Sequence, residues 1–149
     1  NFKWIGLIKL ILPNSKIIHC NRNSKDNCLS IYKNYFTSNE MNYAYHLNEI
    51  VEFYNLYNDL MKHWKNVIPN FVYNIKYEEI IRNSNEQISK LLKNCNLSIS
   101  DNCFKFYKNK RVIKTASDVQ VRKKIYSGSI NSWKHYKEEL FNSFQKLSN

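Results

Sequence analysis

Arg22 and Ser30 are the residues on which anion chemistry is most readily built. They lie in Cys20-Asn21-Arg22-Asn23-Ser24-Lys25-Asp26-Asn27-Cys28-Leu29-Ser30, where an apolar run gives way to a polar turn and then to a helical pattern. An arginine leaving the carboxyl end of a strand presents a planar fork of donors that matches two oxygens of a phosphate. A serine about two turns into the next helix can donate its hydroxyl to the same oxygens. Lys25 adds positive charge beside them. Ligands of α/β folds bind at the carboxyl ends of strands, which is where this pair falls. Arg and Ser are also common in surface loops, so the same residues suit a plain strand–loop–helix with a solvated arginine.

Two further segments carry related chemistry. Lys76-Tyr77-Glu78-Glu79-Ile80 closes a second apolar run. The Tyr77 ring can stack on or edge against a purine, and Glu78 can hold neighbouring loops by accepting backbone hydrogen bonds. A half-buried tyrosine at a strand end is the plain alternative. Thr115-Ala116-Ser117-Asp118-Val119-Gln120-Val121-Arg122-Lys123-Lys124-Ile125-Tyr126 is basic, short of apolar residues, and followed by Trp133. It reads as a loop that closes over an anion, or equally as a solvated basic loop or a nucleic-acid contact.

The elements that must position these residues follow from the hydrophobic pattern. Residues 3–12 carry Trp4, Ile5, Leu7, Ile8, Ile11 and Leu12 at helical spacing, ended by Pro13 and Asn14. Lys16 to Cys20 is too short for a helix and predicts a buried strand. Ser24 or Asp26 is placed to cap the helix that carries Cys28, Leu29, Ile31 and Tyr32. Residues 46–66 give the cleanest helical repeat, closed by Pro69. Phe71 to Tyr77 predicts a second strand. Ser84-Asn85-Glu86-Gln87 has the form of a capping box ahead of Ile88, Leu91, Leu92 and Cys95. Ser100 and Asp101 open a short helix, and a last helix is expected to carry Ile130, Trp133, Tyr136, Leu140, Phe141 and Phe144. This order predicts a helix-rich α/β fold with a small parallel sheet flanked by helices. Two strands alone leave exposed edges, which predicts further strands upstream of Asn1.

Composition narrows the possibilities. The 149 residues amount to one ordinary domain. With 43% hydrophobic residues the chain is too apolar to be disordered at this charge. A net charge of +11 favours an anionic partner: nucleic acid, acidic lipid, an acidic substrate or a phosphorylated cofactor. Cys20, Cys28, Cys95 and Cys103 form no C-x-x-C pair and have no zinc-ligand spacing, so small buried thiols in a reducing compartment are expected. His19, His46, His63 and His135 are scattered, with no nucleophile placed beside them in sequence. No apolar run is long enough to span a membrane. A start at Asn1 rather than Met predicts a fragment of a longer protein.

The run Leu12-Pro13-Asn14-Ser15-Lys16-Ile17-Ile18-His19-Cys20-Asn21-Arg22, continuing into Asp26-Asn27-Cys28-Leu29-Ser30-Ile31-Tyr32, resembles the PAPS-dependent sulfotransferases. The likeness is to bacterial forms associated with tetratricopeptide repeats and, more distantly, to tyrosylprotein sulfotransferases. The Tyr77 and Ser117 segments follow in the family's order, so the likeness extends over nearly the whole chain. It implies that residues 1–149 are the C-terminal part of a P-loop-like domain whose phosphosulfate loop, catalytic carboxylate and a family lysine lie upstream. Arg22 and Ser30 would hold the 3′-phosphate of PAPS (3′-phosphoadenosine 5′-phosphosulfate) or of its product PAP, and Tyr77 would meet the adenine. Ser117 would stabilise charge at the transferring sulfuryl group, while Gln120, Val121, Arg122 and Lys123 would border the phosphates. The acceptor would be a hydroxyl of protein tyrosine or of a saccharide, and no metal would be needed. Location would be cytoplasmic for a bacterial protein, or the Golgi lumen for a tyrosylprotein-type enzyme. The sequence departs from the family at Asn34 and Ser132, where tyrosylprotein sulfotransferases carry arginine and lysine, and at Lys124, where proline is frequent.

Overall fold

A computed structural model describes residues 1–37, 39–109 and 122–148. A 3-10 turn at Phe2–Trp4 leads into helix α1 (Ile5–Ile11) and strand β1 (Ile17–Asn21). Helix α2 (Ser24–Tyr32), a 3-10 segment at Asn39–Tyr45 and the long helix α3 (Leu47–Val67) cross over to strand β2 (Val72–Lys76). Helices α4 (Tyr77–Arg82), α5 (Ser84–Asn94) and α6 (Asp101–Phe104) follow, with a 3-10 turn at Phe106–Lys108. A 3-10 segment at Ser132–Tyr136 runs into α7 (Lys137–Phe144). The result is the expected helix-rich α/β fold with a small parallel sheet.

β1 and β2 pair in parallel, from Ile17 opposite Val72 to Asn21 opposite Lys76. Parallel pairing brings both carboxyl ends to the same edge, so the Arg22 turn and the Tyr77 turn become neighbours. The crossover between them is long because parallel strands need one. α3 forms where apolar residues recur at three- and four-residue steps, and it stops at Ile68 because the following Pro69 disfavours helical backbone there.

The buried core joins α2, α3 and α7: Cys28, Leu29, Ile50, Val51, Leu140 and Phe144 pack together, ringed by Tyr54, Trp133 and Leu147. This cluster ties the C-terminal segment to the helix that follows Arg22. Apolar surface also remains outside the core, with Leu10 79% and Ile11 64% exposed on α1.

Several local expectations are corrected. The cap of α2 is Asn23, whose side-chain oxygen accepts from the backbone N–H groups of Lys25 and Asp26. That frees Asp26 to act elsewhere. The capping box at Ser84 does not form, because Ser84 already lies inside α5 and its N-cap, Asn83, makes no side-chain cap bond. The single C-terminal helix is split: Ile130 precedes it, Asn131 takes a left-handed conformation at φ 60°, and a 3-10 turn comes before α7. Only Cys28 of the four cysteines is buried; Cys20 is exposed, and Cys95 and Cys103 are half-buried.

Candidate anion-binding site at the carboxyl ends of the strands

Arg22 emerges directly from β1. Its Nη2 donates to the backbone carbonyl of Ser129 at 2.9 Å. Its guanidinium lies over the Tyr77 ring, 5.0 Å from the centroid, in cation–π geometry. Tyr77 Oη and Ser129 Oγ are hydrogen-bonded at 2.7 Å. These three residues therefore form a closed set in which Ser129 meets Arg22 through its backbone carbonyl and Tyr77 through its hydroxyl. Arg22 Nε is buried and has no hydrogen-bond partner among the described residues. A buried charged donor left unpaired is costly, and a ligand oxygen would relieve that cost.

The turn after β1 is fixed from both sides. Glu78 Oε1 accepts from the backbone N–H of Asn23 at 2.8 Å, so one carboxylate links the two strand ends. Sequence reasoning allowed this role for Glu78, and the parallel register makes it possible. At the start of α2, the Lys25 ammonium lies 4.3 Å from the Trp133 ring centroid. The Asp26 carboxylate is 1% exposed and accepts three hydrogen bonds. They come from Asn131 N at 2.7 Å, Ser132 Oγ at 3.1 Å and Trp133 N at 3.1 Å.

A cavity of ≈ 400 Å³ opens at this edge, lined by Asn21, Arg22, Asn23, Asp26, Lys76, Glu78, Arg82, Ile130 and Asn131. Three cations face two carboxylates there. The lining side chains thus carry one more formal positive charge than negative, with Lys76 also 3.8 Å from Glu79 Oε1. A larger concavity of ≈ 510 Å³ lies at the opposite, amino ends of the strands, among Lys9, Asn14, Lys16, Phe71 and Asn96. Arg22, whose Nε is buried and unpaired among the described residues, lines the cavity at the carboxyl ends.

The structure treats the other expected site residues differently. Ser30 is half-buried in α2, and its carbonyl accepts from Asn34 Nδ2 at 2.6 Å. Asn34 is thus engaged locally. Lys123 is exposed, and Arg122 Nη1 donates to the carbonyl of Asn109 at 3.2 Å. Ser117, Gln120 and Val121 lie outside the described residues. Among the described residues, no group of three or more His, Cys, Asp or Glu could hold a metal ion. No helix among them is long and apolar enough to cross a membrane.

Sequence reading missed two groups. Ser129 and Asp26 enter the site through partners 105 to 107 positions away, a separation at which no local spacing signals contact. His19 likewise has partners: its Nδ1 bonds Asn74 Oδ1 at 2.7 Å and its Nε2 meets the Tyr57 hydroxyl. Burial pushes the Tyr57 hydroxyl up to about 12, with neighbouring Tyr54 and Cys20 adding to the shift.

Comparison with known proteins now gives this site a family. Residues 1–101 match the profile of the sulfotransferase family. The chain belongs to that family. It is also 37% identical, over 142 residues, to an uncharacterized protein of Aquifex aeolicus (strain VF5). That alignment covers 94% of this chain and 19% of the relative, so the chain spans about a fifth of the relative's length.

Proposed function

We propose that this chain is the cofactor-gripping part of a PAPS-dependent sulfotransferase that delivers a sulfuryl group to an acceptor hydroxyl. The observation that carries the reading is Arg22: a charged fork at a strand's carboxyl end, with one donor buried and unpaired, beside a cavity of net positive character. Family membership over residues 1–101 supports the same reading.

In this reading Arg22 and Ser30 hold the 3′-phosphate. Tyr77 lies at the adenine end and also braces Arg22 through its ring. Lys25 and the basic residues Arg122 and Lys123 raise the local positive potential. Ser117 is assigned to the transferring group, and Gln120 and Val121 to the phosphates, on the family resemblance alone, since all three lie outside the described residues. Bound PAPS supplies the sulfuryl group, and negative charge grows on the leaving 5′-phosphate during transfer. The protein's task is therefore positioning and charge stabilisation, as in phosphoryl transfer, and these donors suit it without a metal. The acceptor belongs to the hydroxyls of protein tyrosine or saccharide, and tetratricopeptide repeats are the expected companions of the domain.

The test is calorimetric titration of the chain with adenosine 3′,5′-bisphosphate, adenosine 5′-monophosphate and a DNA duplex across salt concentrations. The expected result is preference for the bisphosphate, lost in Arg22→Ala. Binding that ignores the 3′-phosphate and falls steeply with salt for any polyanion would instead mark a general nucleic-acid surface. The chain by itself is expected not to turn over PAPS, since the catalytic carboxylate is assigned to the upstream part.

A further inference from the structure

The buried carboxylate of Asp26 accepts its hydrogen bonds from residues 131–133 and lines the same cavity as Arg22, and the geometry ties the two together. Asp26 sits in the first turn of α2, one turn beyond Arg22. Its oxygens collect the backbone N–H of Asn131, the backbone N–H of Trp133 and the hydroxyl of Ser132. It thereby caps, from another element, the turn that opens the 3-10 segment Ser132–Tyr136. A charge-assisted acceptor for two backbone donors stabilises the left-handed conformation that Asn131 adopts. Two residues before that turn stands Ser129, whose carbonyl receives Arg22 Nη2 and whose hydroxyl bonds Tyr77.

We propose that Asp26 is a positioning residue of the 3′-phosphate grip. By pinning residues 131–133 to α2 it holds the Ser129 carbonyl where Arg22 Nη2 meets it. The guanidinium is then locked over Tyr77, with its remaining donors aimed at the ligand. The inference rests on the reading of the Arg22 site given above. Two features make the chain of contacts stiff. Asp26 is 1% exposed, so water does not compete for its donors. The segment beyond the clamp is anchored by Trp133, Leu140 and Phe144 in or against the core, and Lys25 covers the Trp133 ring. Arginine has high rotamer freedom when unheld, so a fixed carbonyl removes an ordering cost that phosphate binding would otherwise bear.

The test compares Asp26→Asn and Ser132→Ala with the unmodified chain. It reads the ratio of affinities for adenosine 3′,5′-bisphosphate and adenosine 5′-monophosphate, with thermal unfolding in parallel. Asp26→Asn keeps the shape but turns an amide N–H toward backbone donors. The ratio is expected to fall about tenfold, the size of one charge-assisted hydrogen bond, with affinity for the monophosphate little changed. Ser132→Ala removes a single donor and is expected to lower the ratio in the same direction by about two- to threefold. It decides the question if Asp26→Asn does not fold. A lowered melting temperature with an intact ratio makes Asp26 purely structural and overturns the proposal. An unmodified chain that does not distinguish the two nucleotides overturns the reading of the site itself, and the clamp's role with it.

Discussion

Replacing Arg22 by lysine separates what its charge does from what its shape does. The unit charge survives in Arg22→Lys, so long-range attraction of a phosphate survives with it. Three things are lost. Lysine's three donors share one nitrogen, so they do not reproduce the fork that reaches the Ser129 carbonyl, which now receives Nη2 at 2.9 Å, and ligand oxygens on its other side at the same time. It has no equivalent of the buried, unpaired Nε. It also lacks the planar face that lies 5.0 Å from the Tyr77 centroid. A hydrogen bond to a charged group contributes about 1.5–3 kcal/mol. Losing one of two phosphate contacts therefore weakens adenosine 3′,5′-bisphosphate binding by roughly 10- to 150-fold, at about 1.4 kcal/mol per tenfold. Titration calorimetry at several salt concentrations checks this. The slope of log affinity against log salt should match that of the unmodified chain, because the charge count is unchanged. Arg22→Ala should lose affinity and slope together. If Arg22→Lys binds within twofold of the unmodified chain, the fork geometry is irrelevant and Arg22 is only a point charge.

Other expectations follow from the core and its helices. Burial pushes the Cys28 thiol up from 9.0 to about 12, so the folded chain favours the neutral form. A folded-state pKa above the unfolded one gives stability that is fully present below pH 9 and lost as pH rises toward 12. At pH 10.5 the loss from this group is about 2 kcal/mol, read as a lower urea midpoint that Cys28→Val restores in part. Tyr57, raised from 10.0 to about 12 chiefly by burial, adds loss in the same direction. A flat urea midpoint from pH 8 to 10.5 would contradict the burial of Cys28. A methyl group at Gly6 would stand 2.7 Å from Trp64 Cη2, and Trp64 is held by its Nε1 bond to the Phe2 carbonyl at 2.9 Å. Overpacking costs of about 1–3 kcal/mol outweigh the gain of about 1 kcal/mol in helix propensity. Gly6→Ala should therefore melt a few degrees lower, and a higher melting temperature would show that Trp64 moves freely aside.

Much of this protein is legible in its sequence because the relevant signals are local. Hydrophobic period reports burial one element at a time, so α3, both strands and the fold class follow from spacing alone. The turn containing Arg22 was readable for the same reason: a strand's end, a polar turn and a helix start are adjacent in the chain. The misreadings are also local in origin. Asn23, Ser24 and Asp26 are all acceptable caps by residue type. Which one serves depends on which side chain another element draws away, and Asp26 is drawn to Asn131 and Trp133.

By itself, then, the sequence determined the elements, their order, the basic character and the candidate arginine. The tertiary structure alone decided what surrounds that arginine. The parallel register from Ile17–Val72 to Asn21–Lys76 sets Tyr77 and Glu78 beside the Arg22 turn. The packing of α7 on α2 and α3 brings Ser129 and residues 131–133 from the far end of the chain onto Arg22 and Asp26. Contacts across more than 100 positions depend on how helices and strands pack against one another, and no short-range spacing in the chain encodes that.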